Sequence, residues 1–125
     1  MLTDDARARV AAMLEEMADL PGFYDRGPLA VNTAGFGGDT PLIVALIRSD
    51  LQAALDLLAA GADPSAVGED DFSALHWAAT RGPEFVRPLL AGGAVSTGRN
   101  LFGETPQDIA RRSGDPALVA LLGDP

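Results

Sequence analysis

Apolar residues recur at helical spacing in three consecutive stretches of the chain. The stretches begin at Thr40, Ser73 and Thr105, which lie 33 and 32 residues apart. Each contains a short segment of small apolar residues, a turn, and a second segment with apolar residues at the i, i+3, i+4 spacing of one helix face. A period of this length indicates a repeat with two short helices per unit. The apolar residues of the second segments are Ala54, Leu55, Leu57 and Leu58, then Phe85, Val86, Leu89 and Leu90, then Leu118, Val119, Leu121 and Leu122.

Polar residues, prolines and glycines mark the predicted helix ends. The hydroxyl residue that begins each unit is a predicted N-cap, because its oxygen accepts from an otherwise unsatisfied helix N–H. Pro41 and Pro106 follow at the first helical position, where a missing N–H costs nothing. Gly61 and Gly93 are predicted to end the second helices in a left-handed conformation. The turns inside the units are predicted at Ser49–Asp50, Gly82–Pro83 and Gly114–Asp115.

An amphipathic segment precedes the three units. Residues 4 to 20 place Val10, Met13, Leu14 and Met17 at helical spacing. We predict that this segment forms a helix that covers the first unit, because the end of a repeat stack otherwise exposes apolar surface.

The three units resemble the ankyrin repeat. That family combines a turn and G-x-T-P-L-H-x-A with a second helix that ends in two leucines before G-A-D. This chain has GDTPLIVA, SALHWAA and GETPQDIA for the first part, and LLAAGADPS and LLAGGAVS for the second. The resemblance covers about residues 27 to 122, although the inter-helix turn within GPEFV is one residue short. It implies an all-α solenoid of stacked helix-turn-helix units with short β-hairpin fingers and terminal caps.

The resemblance implies a single ankyrin-repeat domain over residues 1–125. Because the last unit has no finger after it, it is expected to form a C-terminal cap. The expected parts are an N-terminal capping helix region at 1–26, a first finger at 27–37, repeats at 38–70 and 71–102, and a C-terminal capping repeat at 103–125.

The glycine-rich loop before the first unit does not match a phosphate-binding loop. A P-loop needs a lysine after its last glycine, and Asp39-Thr40 occupies that place in a chain without lysine. No preceding strand of a dinucleotide-binding βαβ unit is predicted either. We therefore expect Gly35, Gly37 and Gly38 to serve a tight hairpin turn that needs positive φ.

The composition indicates an acidic protein, which disfavours nucleic acid as a partner; the acidity can favour a basic partner or can simply serve solubility. The 125 residues carry a net charge of −9, which repels phosphate backbones and can favour a basic protein partner. There is no cysteine, no secretory leader pattern and no apolar stretch long enough to cross a membrane, so a cytoplasmic location is expected. Abundant Ala, Gly, Asp and Arg with no lysine is typical of a GC-rich bacterial source, and suggests a small freestanding member of the family.

Catalytic and metal-binding chemistry is poorly supported. One histidine without cysteine or lysine leaves few nucleophile–base pairs, and no second histidine can share a metal, so we expect no catalytic residue, cofactor or metal. The resemblance implies that His76 hydrogen-bonds the turn of its unit. The run Glu69-Asp70-Asp71 lacks the alternating ligands of a calcium loop. Trp77 is predicted to be a core residue of its helix.

The resemblance also implies a binding surface. Ankyrin proteins usually bind partners on the concave face, which consists of finger tips and the exposed side of the first helices. Aromatic and arginine side chains there are typical of binding hot spots, although Phe36, Phe72 and Phe102 can instead pack between neighbouring fingers. The residues at these positions are Phe36, Asp39, Ile47 and Arg48, then Glu69, Asp70, Phe72, Thr80 and Arg81, then Leu101, Phe102, Glu104 and Arg112.

Three arginines share the period of the units. Arg48, Arg81 and Arg112 can pair with acidic loop residues inside the protein, or they can contact a partner of mixed charge.

A protein–protein interaction module, monomeric and without enzymatic activity, is the function that the sequence favours. The alternatives are an immunity or inhibitor protein that neutralises a basic toxin or enzyme, and an accessory protein that stabilises an enzyme. A small-ligand binder, which would need a deep polar pocket, and a self-assembling structural protein remain rivals from other classes.

Overall fold

The computed structural model describes residues 2–23, 27–35, 37–96 and 98–123, which form seven α-helices and no β-strand. The predicted all-helical architecture is thus confirmed in this part of the chain. The helices are α1 (Asp4–Met17), α2 (Pro41–Ile47), α3 (Leu51–Ala59), α4 (Ala74–Arg81), α5 (Pro83–Ala91), α6 (Pro106–Ser113) and α7 (Pro116–Leu122), with 3-10 turns at Pro21–Phe23 and Glu69–Asp71.

The helices pack in two rows. Within each unit the helices pair as α2 with α3, α4 with α5, and α6 with α7. Between units, α4 contacts both α2 and α6, and α5 contacts both α3 and α7. The N-terminal α1 packs against α3, so it extends the row of second helices at its beginning. This is the position predicted for a helix that covers the first unit.

The core lies between the two rows. Leu42, Leu46, Leu57, Leu75 and Val86 are almost completely buried there. Buried alanines on α2, α4 and α6 leave room for neighbouring first helices to pack closely. These alanines are Ala45, Ala74, Ala78, Ala79 and Ala110.

The predicted helix caps are confirmed. The side chains of Thr40, Ser73 and Thr105 each accept a hydrogen bond from the backbone N–H three residues later, at 3.5, 3.2 and 3.1 Å. Gly61 and Gly93 follow the second helices with φ of 100° and 93°. Local chemistry that satisfies orphan backbone groups therefore sets the helix boundaries.

The loops before the first helices differ from the predicted β-hairpin fingers. In the described residues they contain one isolated antiparallel bridge, between Val67 and Ser73, and no paired strands. Each loop is closed by a hydrogen bond from a backbone N–H to the carbonyl four residues later, and in the second loop one further bond, from the Ala74 N–H to the Ala66 carbonyl at 3.0 Å, flanks the bridge. The three loop-closing bonds are Gly35 to Asp39, Gly68 to Phe72 and Asn100 to Glu104, each 2.9 Å long.

The three glycines of the first loop meet different structural requirements. The expectation that all three adopt a positive φ is wrong in part. Only Gly38 has a positive φ, of 98°. Gly35 is required by a close approach, since a Cβ there would lie 2.4 Å from the carbonyl oxygen of Gly22. A Cβ on Gly37 would lie 3.3 Å from a carboxylate oxygen of Glu69.

The shortened turn of the second unit depends on one glycine. Gly82 alone connects α4 to α5, with φ 138° and ψ 169°, a conformation that is essentially restricted to glycine.

Gly82→Ala should therefore lower the free energy of unfolding by about 2–3 kcal/mol, measured by urea denaturation. Gly98→Ala is the matched control, because a Cβ there meets open space at a φ outside the left-handed region. Equal stability of the two variants would contradict this account.

Candidate functional site

The structure brings four apolar residues of the second and third units together at the surface. The ring centroid of Phe72 lies 5.0 Å from that of Trp77 and 6.1 Å from that of Phe102, distances typical of aromatic pairs. Leu101 precedes Phe102, and the two side chains are 66% and 69% exposed. We call Phe72, Trp77, Leu101 and Phe102 the aromatic surface.

The geometry of the aromatic surface tests two expectations from the sequence, the packing of Phe72 against Phe102 and the burial of Trp77. Phe72 and Phe102 do pack against each other, yet most of Phe102 remains exposed. The prediction that Trp77 belongs to the core is only partly right, because its side chain packs on the core and is also partly exposed. The sequence did carry a signal for this position: Arg81 follows Trp77 by four residues, which places both on one helix face.

Arg81 holds the Trp77 ring and joins two units. Its guanidinium lies 5.7 Å from the ring centroid, within cation–π range. Its Nε and Nη2 donate to the carbonyl oxygens of Leu46 and Ile47, at 3.0 and 2.8 Å. These carbonyls end α2, where a positive charge is also favourable. One face of Arg81 therefore supports the aromatic surface while its N–H groups are used inside the protein.

The other two periodic arginines also have internal partners. Arg48 makes two hydrogen bonds to the Glu16 carboxylate, at 3.1 and 2.9 Å, and Arg112 pairs with Glu104. The Arg48 guanidinium lowers the pKa of Glu16. Both pairs are largely exposed, so each contributes little to stability. Only Arg112 pairs with an acidic loop residue as the internal alternative expected, because Arg48 bonds a helix glutamate and Arg81 bonds backbone carbonyls.

Backbone and side-chain bonds tie the loops of successive units to each other. The Asp39 carboxylate accepts from the backbone N–H of Glu69 at 3.0 Å, and the Asp70 carbonyl accepts from the N–H of Leu101 at 2.8 Å. The loop that carries Leu101 and Phe102 is further braced by Asn100, whose side-chain oxygen accepts from two N–H groups of its own loop. The exposed apolar side chains therefore stand on an ordered backbone.

His76 is buried and bonded at both ring nitrogens. Its Nδ1 accepts from the backbone N–H of Ser73 at 3.0 Å, and its Nε2 lies 2.7 Å from the carbonyl oxygen of Glu104, to which it donates. This geometry selects the neutral tautomer with the proton on Nε2. The hydrogen-bonding role that the resemblance implied is confirmed, and it extends to the next unit.

Burial lowers the pKa of His76, which makes the stability of the protein depend on pH. The unfolded chain takes up a proton near pH 6.5 and the folded chain only at lower pH, so stability is complete above about pH 6.5 and falls as the pH drops below it. We expect a slope of at most about 1.4 kcal/mol per pH unit in urea denaturation between pH 7 and 5. His76 is the single histidine, so His76→Gln should flatten the profile in this range. An equally steep profile in that variant would refute the assignment.

The remaining predicted site residues are dispersed. Ile47 is 36% exposed at the end of α2, and the exposed Thr80 donates its hydroxyl to the Trp77 carbonyl at 2.6 Å. Thr80, Arg81 and Arg112 line a shallow cleft of about 400 Å³ between the second and third units. Phe36 lies outside the described residues.

Neither a metal site nor a membrane span is found in the described part of the chain. No group of three or more His, Cys, Asp or Glu side chains there is arranged to hold a metal ion. Likewise, none of the described helices has the length and apolar character needed to cross a bilayer.

Comparison with known proteins agrees with the helical repeat. No protein-family model matches the chain. The chain is similar to Ankyrin repeat and SOCS box protein 16 of Mus musculus, with 36% identity over 102 residues. The match covers 81% of this chain and 22% of the relative, so the chain spans about a fifth of that protein's length. With the all-helical structure, this similarity supports ankyrin-like repeats.

Proposed function

We propose that this protein binds a partner protein through the aromatic surface, on the face that the first helices and their preceding loops share. The observation that carries the proposal is the pair Leu101 and Phe102, each about two-thirds exposed and adjacent to Phe72. A contiguous apolar patch of this kind on a folded domain marks an interaction site more often than a chance exposure.

The chemistry of the patch supports an interaction hot spot. Aromatic side chains give large contact area at low entropic cost because they rotate about only two side-chain bonds, and Trp77 is already held by Arg81. Because the loops are tied to each other, little ordering is needed on binding. The partner would then meet a preformed surface rather than induce one.

The charge around the aromatic surface favours a basic partner. Glu69, Asp70 and Asp71 are exposed in the loop that precedes Phe72, and the chain carries a net charge of −9. Acidic groups around an apolar centre speed the association of a positively charged protein, and they make the association rate fall as salt is added.

Replacing the exposed anchors tests the proposal. The double variant Leu101→Ala/Phe102→Ala should weaken partner binding about 30- to 1000-fold, the effect of about 2–4 kcal/mol lost at a hot spot. The partner is isolated by affinity capture from the source organism, and its dissociation constant is measured by calorimetry. Leu55→Ala/Val95→Ala is the matched control, because these side chains are also exposed, at 39% and 62%, and lie outside the aromatic surface.

The outcomes separate the candidate functions. A partner enzyme whose activity disappears in the complex favours an inhibitor or immunity role, and one whose lifetime increases favours an accessory role. If the double variant binds as tightly as the wild type, the aromatic surface is not the site. If the wild type captures no partner and sediments as a dimer that the double variant does not form, the surface serves self-assembly instead.

A further inference from the structure

A small cavity with an apolar floor and an acidic rim lies beside the first loop. Its volume is about 190 Å³, and it is lined by Leu20, Phe23 and Val44 together with the carboxyl residues Asp39 and Glu69. Binding pockets for drug-sized molecules occupy roughly 300–1,000 Å³. The cavity is therefore of a size to accept one side chain of a partner rather than a free metabolite.

Glycines let the walls of this cavity approach each other. The carbonyl of Gly22 approaches Gly35 so closely that a Cβ would lie 2.4 Å from its oxygen, and the Glu69 side chain lies over Gly37, 3.3 Å from the position of a Cβ. The 3-10 turn that carries Phe23 can therefore lie directly against the loop, which brings the apolar and the acidic lining residues together.

The acidic rim carries charge available to a ligand. One oxygen of Asp39 accepts the backbone N–H of Glu69 at 3.0 Å, which orients the Asp39 carboxylate and ties it to the loop that carries Glu69, and both residues line the cavity. Neither group takes part in the ion pairs found within the described residues. The rim can thus stabilise a cation, while the floor can pack against an aliphatic stem.

We propose that this cavity, which we call the acidic pocket, binds an arginine side chain of the partner. Arginine fits both parts, because its methylene stem is apolar and its planar guanidinium donates to two carboxylates at once. The Phe23 ring is 2% exposed, so it contributes to the apolar floor rather than offering a face to the guanidinium. The inference rests on the proposed function, since a partner must supply the arginine, and it assigns a second contact next to the aromatic surface.

Titration with a single-residue probe tests the pocket without the partner. N-acetyl-arginine methylamide should shift the backbone NMR signals of Gly37, Gly38 and Glu69 saturably, with a dissociation constant on the order of 1–10 mM. N-acetyl-citrulline methylamide has nearly the same shape without the charge, and should bind at least tenfold more weakly. The lysine analogue should also bind more weakly, because it lacks the bidentate fork.

Matched variants distinguish the effect of the pocket carboxylates on probe binding from the effect of overall charge. Asp39→Asn/Glu69→Gln keeps the side-chain shapes and the oxygen that accepts the Glu69 N–H, and should weaken the arginine probe at least tenfold. Asp70→Asn/Asp71→Asn removes the same charge from the same loop outside the pocket lining, and should leave binding within about twofold. Unchanged shifts in the pocket variant, or equal binding of the citrulline or lysine analogue, would overturn the proposal.

The two proposals fail separately. Leu101→Ala/Phe102→Ala should leave the arginine titration unchanged, because neither residue lines the pocket. A failed titration therefore overturns the acidic pocket alone, whereas unchanged partner affinity in the aromatic double variant overturns the proposed binding surface alone.

Discussion

Removal of residues 1–20 should destabilise this protein by about 4–8 kcal/mol, much of the roughly 5–15 kcal/mol that holds a typical domain together. The helix α1 packs against α3 and buries its own Ala6, Val10 and Met17, with Met17 1% exposed. Burying one large apolar side chain contributes about 1.5–3 kcal/mol. Without α1, the outer side of the first unit would face water.

An ion pair between the half-exposed Arg9 and the buried Asp56 also joins α1 to α3. The Arg9 guanidinium donates to both carboxylate oxygens of Asp56, at 2.7 and 3.0 Å, and Asp56 is 5% exposed on α3. The bond to Arg9 lowers the pKa of Asp56 in the intact protein. Truncation removes both of these charge-assisted bonds. Because Asp56 then faces water and keeps its bond to Gln52, the loss is smaller than for a charge left unpaired inside an intact core.

The measurement is the unfolding transition in urea and on heating, for the truncated and the intact chain. Because the truncated chain can fail to fold, Met17→Ala provides the second test and should cost about 2–5 kcal/mol. Arg7→Ala, on the exposed side of the same helix, should change stability by less than about 0.5 kcal/mol. A truncated protein that melts cooperatively within a few degrees of the intact one would show that α1 is not a cap.

Helix positions were predictable because they depend on chemistry that is local in sequence. Thr40, Ser73 and Thr105 cap their own helices three residues away, so the sequence alone indicates where these helices begin. The spacing on α1 was predictable in the same way, although Met13 and Leu14 are only partly buried while Met17 is fully so. A periodic pattern identifies the buried face but not how deeply each residue lies in it.

The loops and the site were less predictable, because contacts between distant residues determine them. Gly35 must be glycine because the carbonyl of Gly22 lies against it, and no pattern in the neighbouring sequence reveals that contact. Asp56 has Gln52 four residues before it, typical of an ordinary exposed helix pair, yet its main partner is Arg9, 47 residues away. The exposure of Trp77 likewise depends on how the loop with Phe72 crosses its helix.

The second large effect is expected at His76, where one side chain serves two units. His76→Ala should lower the free energy of unfolding by about 3–5 kcal/mol. The change leaves the buried N–H of Ser73 without its partner and opens a cavity, and an unsatisfied buried group costs about 1–3 kcal/mol. It also removes the bond between the units, one of two hydrogen bonds that the Glu104 carbonyl accepts, the other coming from the Asn100 N–H. Urea denaturation at pH 7.5, where His76 is neutral, measures the loss.

Two conservative variants separate the stability due to the bond with Ser73 from the stability due to the bond with Glu104. His76→Asn places an acceptor near the Nδ1 position and should retain the bond to Ser73 while losing the bond to Glu104. His76→Gln reaches the Nε2 position and should retain the bond between units.

Thr80→Ala, on the exposed face of the same helix, is the control and should cost less than about 1 kcal/mol. If His76→Ala also costs less than that, the histidine does not hold the units together. If His76→Gln is the more stable of the two conservative variants, the bond to the Glu104 carbonyl is the more important, and His76 fixes the loop that presents Leu101 and Phe102 to a partner.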